Sequence, residues 1–335
     1  MDTERSYTIC AMKWIVPDAL PPAPLCESLG KAFLASDPQV PALLESLCDG
    51  SSAEVRRFDV FAMGCSCSEW LRLQFLGAAQ DQGMPVGPSL AALHAQITDQ
   101  QQRVWLAQAC STIISTDKAS LVQLEDLNAD REDLLSLHQT IAQNLQTDQG
   151  PIRLELIEPG LWRVHADFPE KTWLATPQAV QGSDLGDWWP TEEHWKPWRS
   201  FLNEVQMTWH NHPVNTRREE LGLPPINGLW LYGGGKGWQP QPSKDTVWID
   251  VLHNAARQGN WQLWMNQYKE LLNHLIEESR RHPQAELVLS APDRIVTLRK
   301  EPRSRIGSFL PGLIRKLGAS HGTAKKPWSN WWKDE

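Results

Sequence analysis

The sequence predicts a mixed α/β fold, and three observations support that expectation. Apolar runs of strand length recur along the chain and stop at turns carrying Asp, Pro or Gly. Those turns lead into segments with apolar residues at helical spacing, the pattern of sheets flanked by helices. With 335 residues, 41% apolar and 21% charged, the chain has ordinary globular composition and room for one large domain or two of usual size.

The elements follow in order. Residues 7–16 (YTICAMKWIV) read as a buried strand ending at Pro17 and Asp18, after which Pro21, Pro22 and Pro24 break the chain. Helices are expected over 25–33 and 40–47, the second closed by Asp49-Gly50. Residues 58–63 (FDVFAM) suggest a short strand leading into the turn Gly64-Cys65-Ser66, and 68–76 a helix. Two strands around a turn at residues 116–118 account for 103–124. Asn128 is expected to cap a helix running to about Leu145, with Leu134, Leu137, Ile141 and Leu145 on one face. A hairpin turning at Pro159-Gly160 fits 152–168, and a helix fits 191–210. The strand 229–232 is expected to end at Gly233-Gly234-Gly235. Strands over 247–251, 286–290 and 295–298, with a strong helix over 262–281, complete the pattern.

Charge and cysteine usage narrow the function classes. A net charge of -8 argues against nucleic acid as a main partner, because phosphate binding wants excess Lys and Arg. No apolar run reaches the roughly 18 residues that span a bilayer. The start MDTERSYTIC lacks a basic region followed by an apolar stretch, so a cytoplasmic location with reduced thiols is expected for the six cysteines. Cys65 and Cys67 form a Cys-x-Cys pair, but no second Cys or His pair stands at zinc-site spacing, which favours a small pair in a turn.

Tryptophan usage is skewed. Fifteen of the eighteen Trp lie from Trp162 onward. Such a set packs a core, lines an aromatic pocket or forms a protein-interaction module. From Arg294 the chain is basic, and Ile306, Phe309, Leu310, Leu313, Ile314 and Leu317 share one helical face. Such a helix docks on its own protein or lies on a membrane surface.

Residues 212–235 read HPVNTRREELGLPPINGLWLYGGG. The order His212, Pro213, Val214, Asn215, Arg218, Gly222, Pro225, Asn227, then an apolar strand with Gly233 and Gly235, resembles a stretch of the archaeal-type, cofactor-independent phosphoglycerate mutases. It looks most like a bacterial group of that family, labelled phosphoglycerate mutase or regulatory protein, that shares the segment and a Trp-rich second half. The resemblance implies an alkaline-phosphatase-like core sheet flanked by helices. With the element order it places that core at residues 1–100 and 230–300, a smaller inserted α+β domain at 101–229, and a basic helix and tail at 301–335. Arg217 and Arg218 offer guanidinium forks for a small phosphorylated or carboxylate ligand, and glycines after a strand let backbone N–H groups approach an anion. His212, Asn215, Asn227, Gly233 and Gly235 complete that candidate wall. The same residue types also cap and turn ordinary strand–helix joints.

The family's chemistry, as the resemblance implies it, needs two divalent metals held by Asp and His and a hydroxyl nucleophile. Asp18 stands where the family has its first metal-binding Asp. The nucleophile turn has a loose counterpart around Cys65 and Ser66. The family's Asp and His-Asp-Gly loop falls on 247–263, where Gly259 is kept but His253, Arg257 and Gln258 occupy the ligand positions. The family's Asp-His pair falls at Pro292-Asp293. Asp18, Asp250 and His253 are the best remaining metal ligands. The expectation is therefore a non-catalytic binding or regulatory descendant with no cofactor. An active phosphomutase or phosphatase with rearranged ligands, and a Trp-rich protein-interaction module, are the alternatives.

Overall fold

The structure is a computed structural model that describes residues 12–78, 84–145 and 151–300. It divides into two compact units. The first opens with β1 (Lys13–Val16), α1 (Cys26–Ser36), α2 (Val40–Cys48) and β2 (Ser51–Arg57). The second, Asp59–Gln241, holds in order α3 (Val60–Met63), α4 (Cys67–Phe75), α5 (Ser89–His94), β3 (Arg103–Ile114), β4 (Ala119–Gln123), α6 (Arg131–Asn144), β5 (Ile152–Glu158), β6 (Leu161–Ala166), α7 (Pro177–Val180), α8 (Lys196–His210), α9 (Pro213–Glu220) and β7 (Gly228–Lys236). The first unit then resumes with β8 (Thr246–Trp248), α10 (His253–Arg257), α11 (Trp261–Arg281), β9 (Glu286–Ser290) and β10 (Arg294–Lys300).

The first unit is built on a five-stranded sheet ordered β2-β10-β9-β1-β8. Strand β1 lies parallel to β8 and β9, while β10 runs antiparallel to β9 and β2. Strands of this kind are buried on both faces and read as unbroken apolar runs, as KWIV and ELVLS do. Trp14, Val16, Leu287 and Leu289 point into one core with Phe33, Leu44, Trp264, Tyr268 and Leu272. The alternate positions Ile15 and Val288, paired in register, are also buried. Helix α11 supplies much of that core from Trp264, Tyr268, Leu271, Leu272, Leu275 and Ile276, and Asn260 caps its start by accepting from the Leu263 N–H. Because β1, β8 and β9 are parallel, their C-terminal ends share one edge, the usual ligand position in an open α/β sheet.

In the second unit β3 is the long central strand, and its partners are antiparallel. It pairs with β7 over 103–110, with β6 over 106–108 and with β4 over 110–114, while β5 closes on β6. Helices α6 and α8 cover one face with a core containing Trp105, Trp162, Trp195, Trp198 and Trp209. Buried indoles need a partner for their N–H. Trp162 donates to His138 Nδ1 (2.8 Å), Trp209 to the Leu137 carbonyl (3.2 Å) and Trp230 to the Ala175 carbonyl (2.8 Å).

Several expectations change. Residues 58–63 do not form a strand: Asp59 accepts from the Ala62 N–H and Gly64 adopts φ +64, so cap and stop residues define a helical turn, α3. Asn128 is not a cap; it takes φ +46 in the approach, and Asp130 precedes α6. Strand β7 does not stop at Gly233 but runs through the glycines to Lys236. Gly235 pairs with Val104 and Gly233 with Trp105, which leaves Gly234 as the extra residue of a bulge. The compact inserted unit is wider than 101–229, since α5 packs on β3 and β7 through Ala91, Ala92, Val104, Leu106 and Tyr232. The basic segment 301–335 lies outside the described residues.

Gly233 has φ +112, and a Cβ there would sit 2.5 Å from the Val104 carbonyl oxygen and 2.6 Å from the Ala91 Cβ. Gly233→Ala is therefore expected to lower stability by about 3 kcal/mol in chemical denaturation. Gly222→Ala, at φ +67 with no neighbour within 4 Å, should cost about 1 kcal/mol.

A strand-end Asp–His pair as the candidate functional site

Asp18 follows β1 with φ +56, a left-handed conformation that Asp tolerates better than most residues. Three groups hold it there. Its N–H donates to Ser290 Oγ (3.1 Å), its carbonyl accepts from the Trp264 indole N–H (2.8 Å), and its carboxylate Oδ2 lies 2.6 Å from His253 Nδ1. A carboxylate only accepts, so Nδ1 carries the proton and Nε2 is the ring's other edge. The turn is closed further by the Leu20 N–H donating to the Ser290 carbonyl (2.9 Å). Backbone held this firmly in a sparsely populated region marks a candidate site.

The Asp18 hydrogen bond holds the His253 imidazole above the usual histidine range, while burial pulls the other way. The side chains are 31% and 17% exposed, so the imidazolium and carboxylate form a partly screened ion pair. Asp250 begins the turn into α10, where its carbonyl accepts from the His253 N–H (3.0 Å). Asp293 ion-pairs with the buried Arg294 (2.7 Å), which also donates to the Pro21 carbonyl (3.1 Å).

These residues fit a metal poorly. Among the described residues no three His, Cys, Asp or Glu side chains gather closely enough to hold an ion, so Asp250 does not complete a site with Asp18 and His253. Arg257 and Gln258 end α10 and offer no carboxylate.

The turn at 65–68 lies in the inserted unit and is built as a helix start. Ser66 caps α4: its Oγ accepts from the Glu69 N–H (3.2 Å), and the Glu69 carboxylate accepts from the Ser66 N–H (2.7 Å) and from Thr176 Oγ1 (2.6 Å). Cys65 and Cys67 are buried thiols outside any disulfide, and burial pushes the Cys65 thiol up, away from the reactive thiolate. Cys65 is thus a poor nucleophile and Ser66 serves as a cap.

Segment 212–235 is put to internal use. His212 Nδ1 accepts from the Val214 N–H (3.2 Å) at the start of α9. Asn215, 5% exposed, donates to the Trp209 and Ile226 carbonyls (both 2.9 Å) and accepts from the Ile226 N–H (2.8 Å). Asn227 clamps Thr112, accepting from its N–H (2.7 Å) and donating to its carbonyl (3.0 Å). Arg218, 2% exposed, donates to the Pro224 (2.8 Å) and Leu127 (2.6 Å) carbonyls. Arg217 pairs with Asp133 on the surface. Gly233 and Gly235 admit close backbone approach from β3 and from Pro88–Ser89 respectively. These hydrogen bonds satisfy backbone groups that regular secondary structure leaves unpaired. Of the tryptophans described, eight are buried, six are half-buried and Trp189 is exposed, at 37%.

Ser290 and Trp264 escaped the sequence reading. They lie 272 and 246 residues from Asp18, and a strand-end Ser or a core Trp carries no local signal of such a contact.

No protein-family model matches the chain, and no curated protein sequence matches it. Among solved structures, the PH0037 protein from Pyrococcus horikoshii aligns over 88% of this chain and 89% of its own, at 12% identity and a TM-score of 0.43. A cofactor-independent phosphoglycerate mutase from Thermoplasma acidophilum aligns over 86% and 89%, at 14% identity and a TM-score of 0.33.

A histidine whose pKa rises on folding stabilises the fold fully below its unfolded pKa, near 6.5, and that contribution fades as pH climbs through the folded value. His253→Gln should therefore cost about 1–2 kcal/mol near pH 5.5 and clearly less near pH 9 in urea titrations. Arg218→Met removes the donor from the buried Leu127 carbonyl and the half-buried Pro224 carbonyl and should cost about 2–3 kcal/mol in chemical denaturation.

Proposed function

We propose that the protein is a non-catalytic, binding or regulatory descendant of a cofactor-independent phosphoglycerate mutase-like scaffold, with the metal centre replaced by an internal ion pair. One observation carries the reading: Asp18, at the position where the resembling family has its first metal-binding Asp, is met by the His253 imidazole at 2.6 Å. In the family a divalent cation answers that carboxylate. Here a protonated imidazole does so and brings no open coordination position. Two adjacent metals stabilise both the attacking and the leaving oxygen of a transferred phosphoryl group, and an imidazolium cannot replace that geometry. Arg257 and Gln258, at further positions the family gives to ligands, point the same way.

The alternative is an active phosphomutase or phosphatase with rearranged ligands. What favours it is the convergence of Asp18 with His253 and the left-handed backbone at Asp18. In that reading His253 Nε2 faces substrate as an acid or base.

The readings part on metal and turnover. The purified chain is expected to bind no stoichiometric Mn²⁺ or Zn²⁺ by calorimetry and to transfer no phosphoryl group between phosphoglycerate isomers. Bound metal at unit stoichiometry, with activity abolished by Asp18→Asn, would establish the alternative instead.

A further inference from the structure

The inserted unit carries a half-open cleft of about 340 Å³, lined by residues of α8, β3, β4 and β7 and of the segment 185–191. Small-molecule sites are clefts of roughly 300 Å³ and more, so the size suits a small ligand. Three features say what the cavity fits.

Its walls carry no carboxylate, imidazole, amine or guanidinium: Leu185, Leu202, Leu229 and Trp230 supply apolar surface, and the polar side chains are those of Thr112, Thr191 and Gln206. The remaining titratable group, Cys110, is a neutral thiol, its pKa pushed up to about 12 by burial. A charged ligand would lose its hydration here and find no counter-charge among the lining side chains, the nearby Arg199 being engaged by the Pro190 and Glu192 carbonyls.

The floor is opened by a glycine that the backbone does not demand. Gly228 lies in β7 outside the left-handed region, and a Cβ there would make ordinary contacts, 3.5 Å from both Cys110 Sγ and Thr112 Oγ1. Both neighbours line the cavity, so a side chain at 228 would grow into it. Glycine inside a strand weakens it, and one use of such a position is close approach of a ligand.

One wall is aromatic and fixed. Trp230 is held by its hydrogen bond to the Ala175 carbonyl, and Trp189 leans on it with ring centroids 6.3 Å apart at 51°. Trp189 is 37% exposed at the mouth, and the adjoining loop is tied down by Arg199, which donates to the Pro190 and Glu192 carbonyls (both 3.0 Å). Rings at such angles accept a further aromatic plane edge-on or offset.

We propose that this cavity is a binding site for a small, neutral, planar aromatic molecule of one or two rings. It is carried by the inserted unit alone and does not depend on the mutase-like reading.

Calorimetry on the full chain with naphthol as probe, and naphthoate as its charged counterpart, tests the proposal. Naphthol is expected to bind saturably at one site, and naphthoate at least about tenfold more weakly. Gly228→Leu, which fills the floor, should weaken naphthol at least about tenfold with an undiminished Tm. Should that variant fail to fold by near-ultraviolet circular dichroism, Ala119→Phe at the cavity edge takes its place. No saturable binding up to about 1 mM naphthol, equal binding of naphthoate, or unchanged affinity in the folded filling variant would each overturn the proposal.

Discussion

The first unit depends on one electrostatic requirement: the Asp18 carboxylate, turned inward by a left-handed backbone at the end of a buried strand, must be answered by a positive group. His253 answers it at 2.6 Å, and the Asp18 backbone is tied to Ser290 Oγ and to the Trp264 indole. Four elements, β1, β9, α10 and α11, thereby meet at one residue. A partly buried carboxylate without a partner is destabilising, so the pair serves the fold as well as marking a candidate site. This dual standing explains why the residues look catalytic in arrangement yet are internally balanced.

The segment 212–235 shows how motif residues acquire a structural meaning. Asparagine and arginine carry donors and acceptors that suit a ligand's oxygen atoms equally well as a backbone carbonyl. In this chain Asn215, Asn227 and Arg218 face carbonyls and amides left unpaired by the turns around α9 and by the edge of β3. Each replaces a hydrogen bond that regular secondary structure cannot supply there. Such residues resist substitution whether or not a ligand exists, so likeness of motif speaks first to common architecture and only then to chemistry.

Much of the fold was legible because burial leaves a periodic trace. Helix α11, strand β9 and the last part of the expected strand 7–16 match the sequence pattern, since their apolar positions repeat at 3.6 or run unbroken; residues 7–11 lie outside the described residues. Strand β2 left no trace: SSAEVRR is an exposed edge held by its ladder to β10, so hydrophobic pattern had nothing to record. The continuation of β7 through three glycines was hidden because glycine usually ends strands, and only the bulge opposite Val104 and Trp105 reveals why it does not here. Asp18 and His253 were each singled out, but through the family resemblance; their contact is tertiary. The cavity beneath α8 was illegible for the same reason, being assembled from residues of five separate stretches between Cys110 and Trp230.

The long sequence separation within the first unit has a consequence for synthesis. Asp18 and His253 lie 235 residues apart, and β1 finds both of its sheet neighbours, β8 and β9, only after the whole of Asp59–Gln241 has been made. At translation rates of about 5–20 residues per second, the amino-terminal strand waits roughly 12–47 s for its partners. The inserted unit has its own complete sheet and is free to fold in that interval. Until β8 and β9 are made, the nascent β1 leaves Trp14, Ile15 and Val16 without the sheet neighbours beside which they are buried.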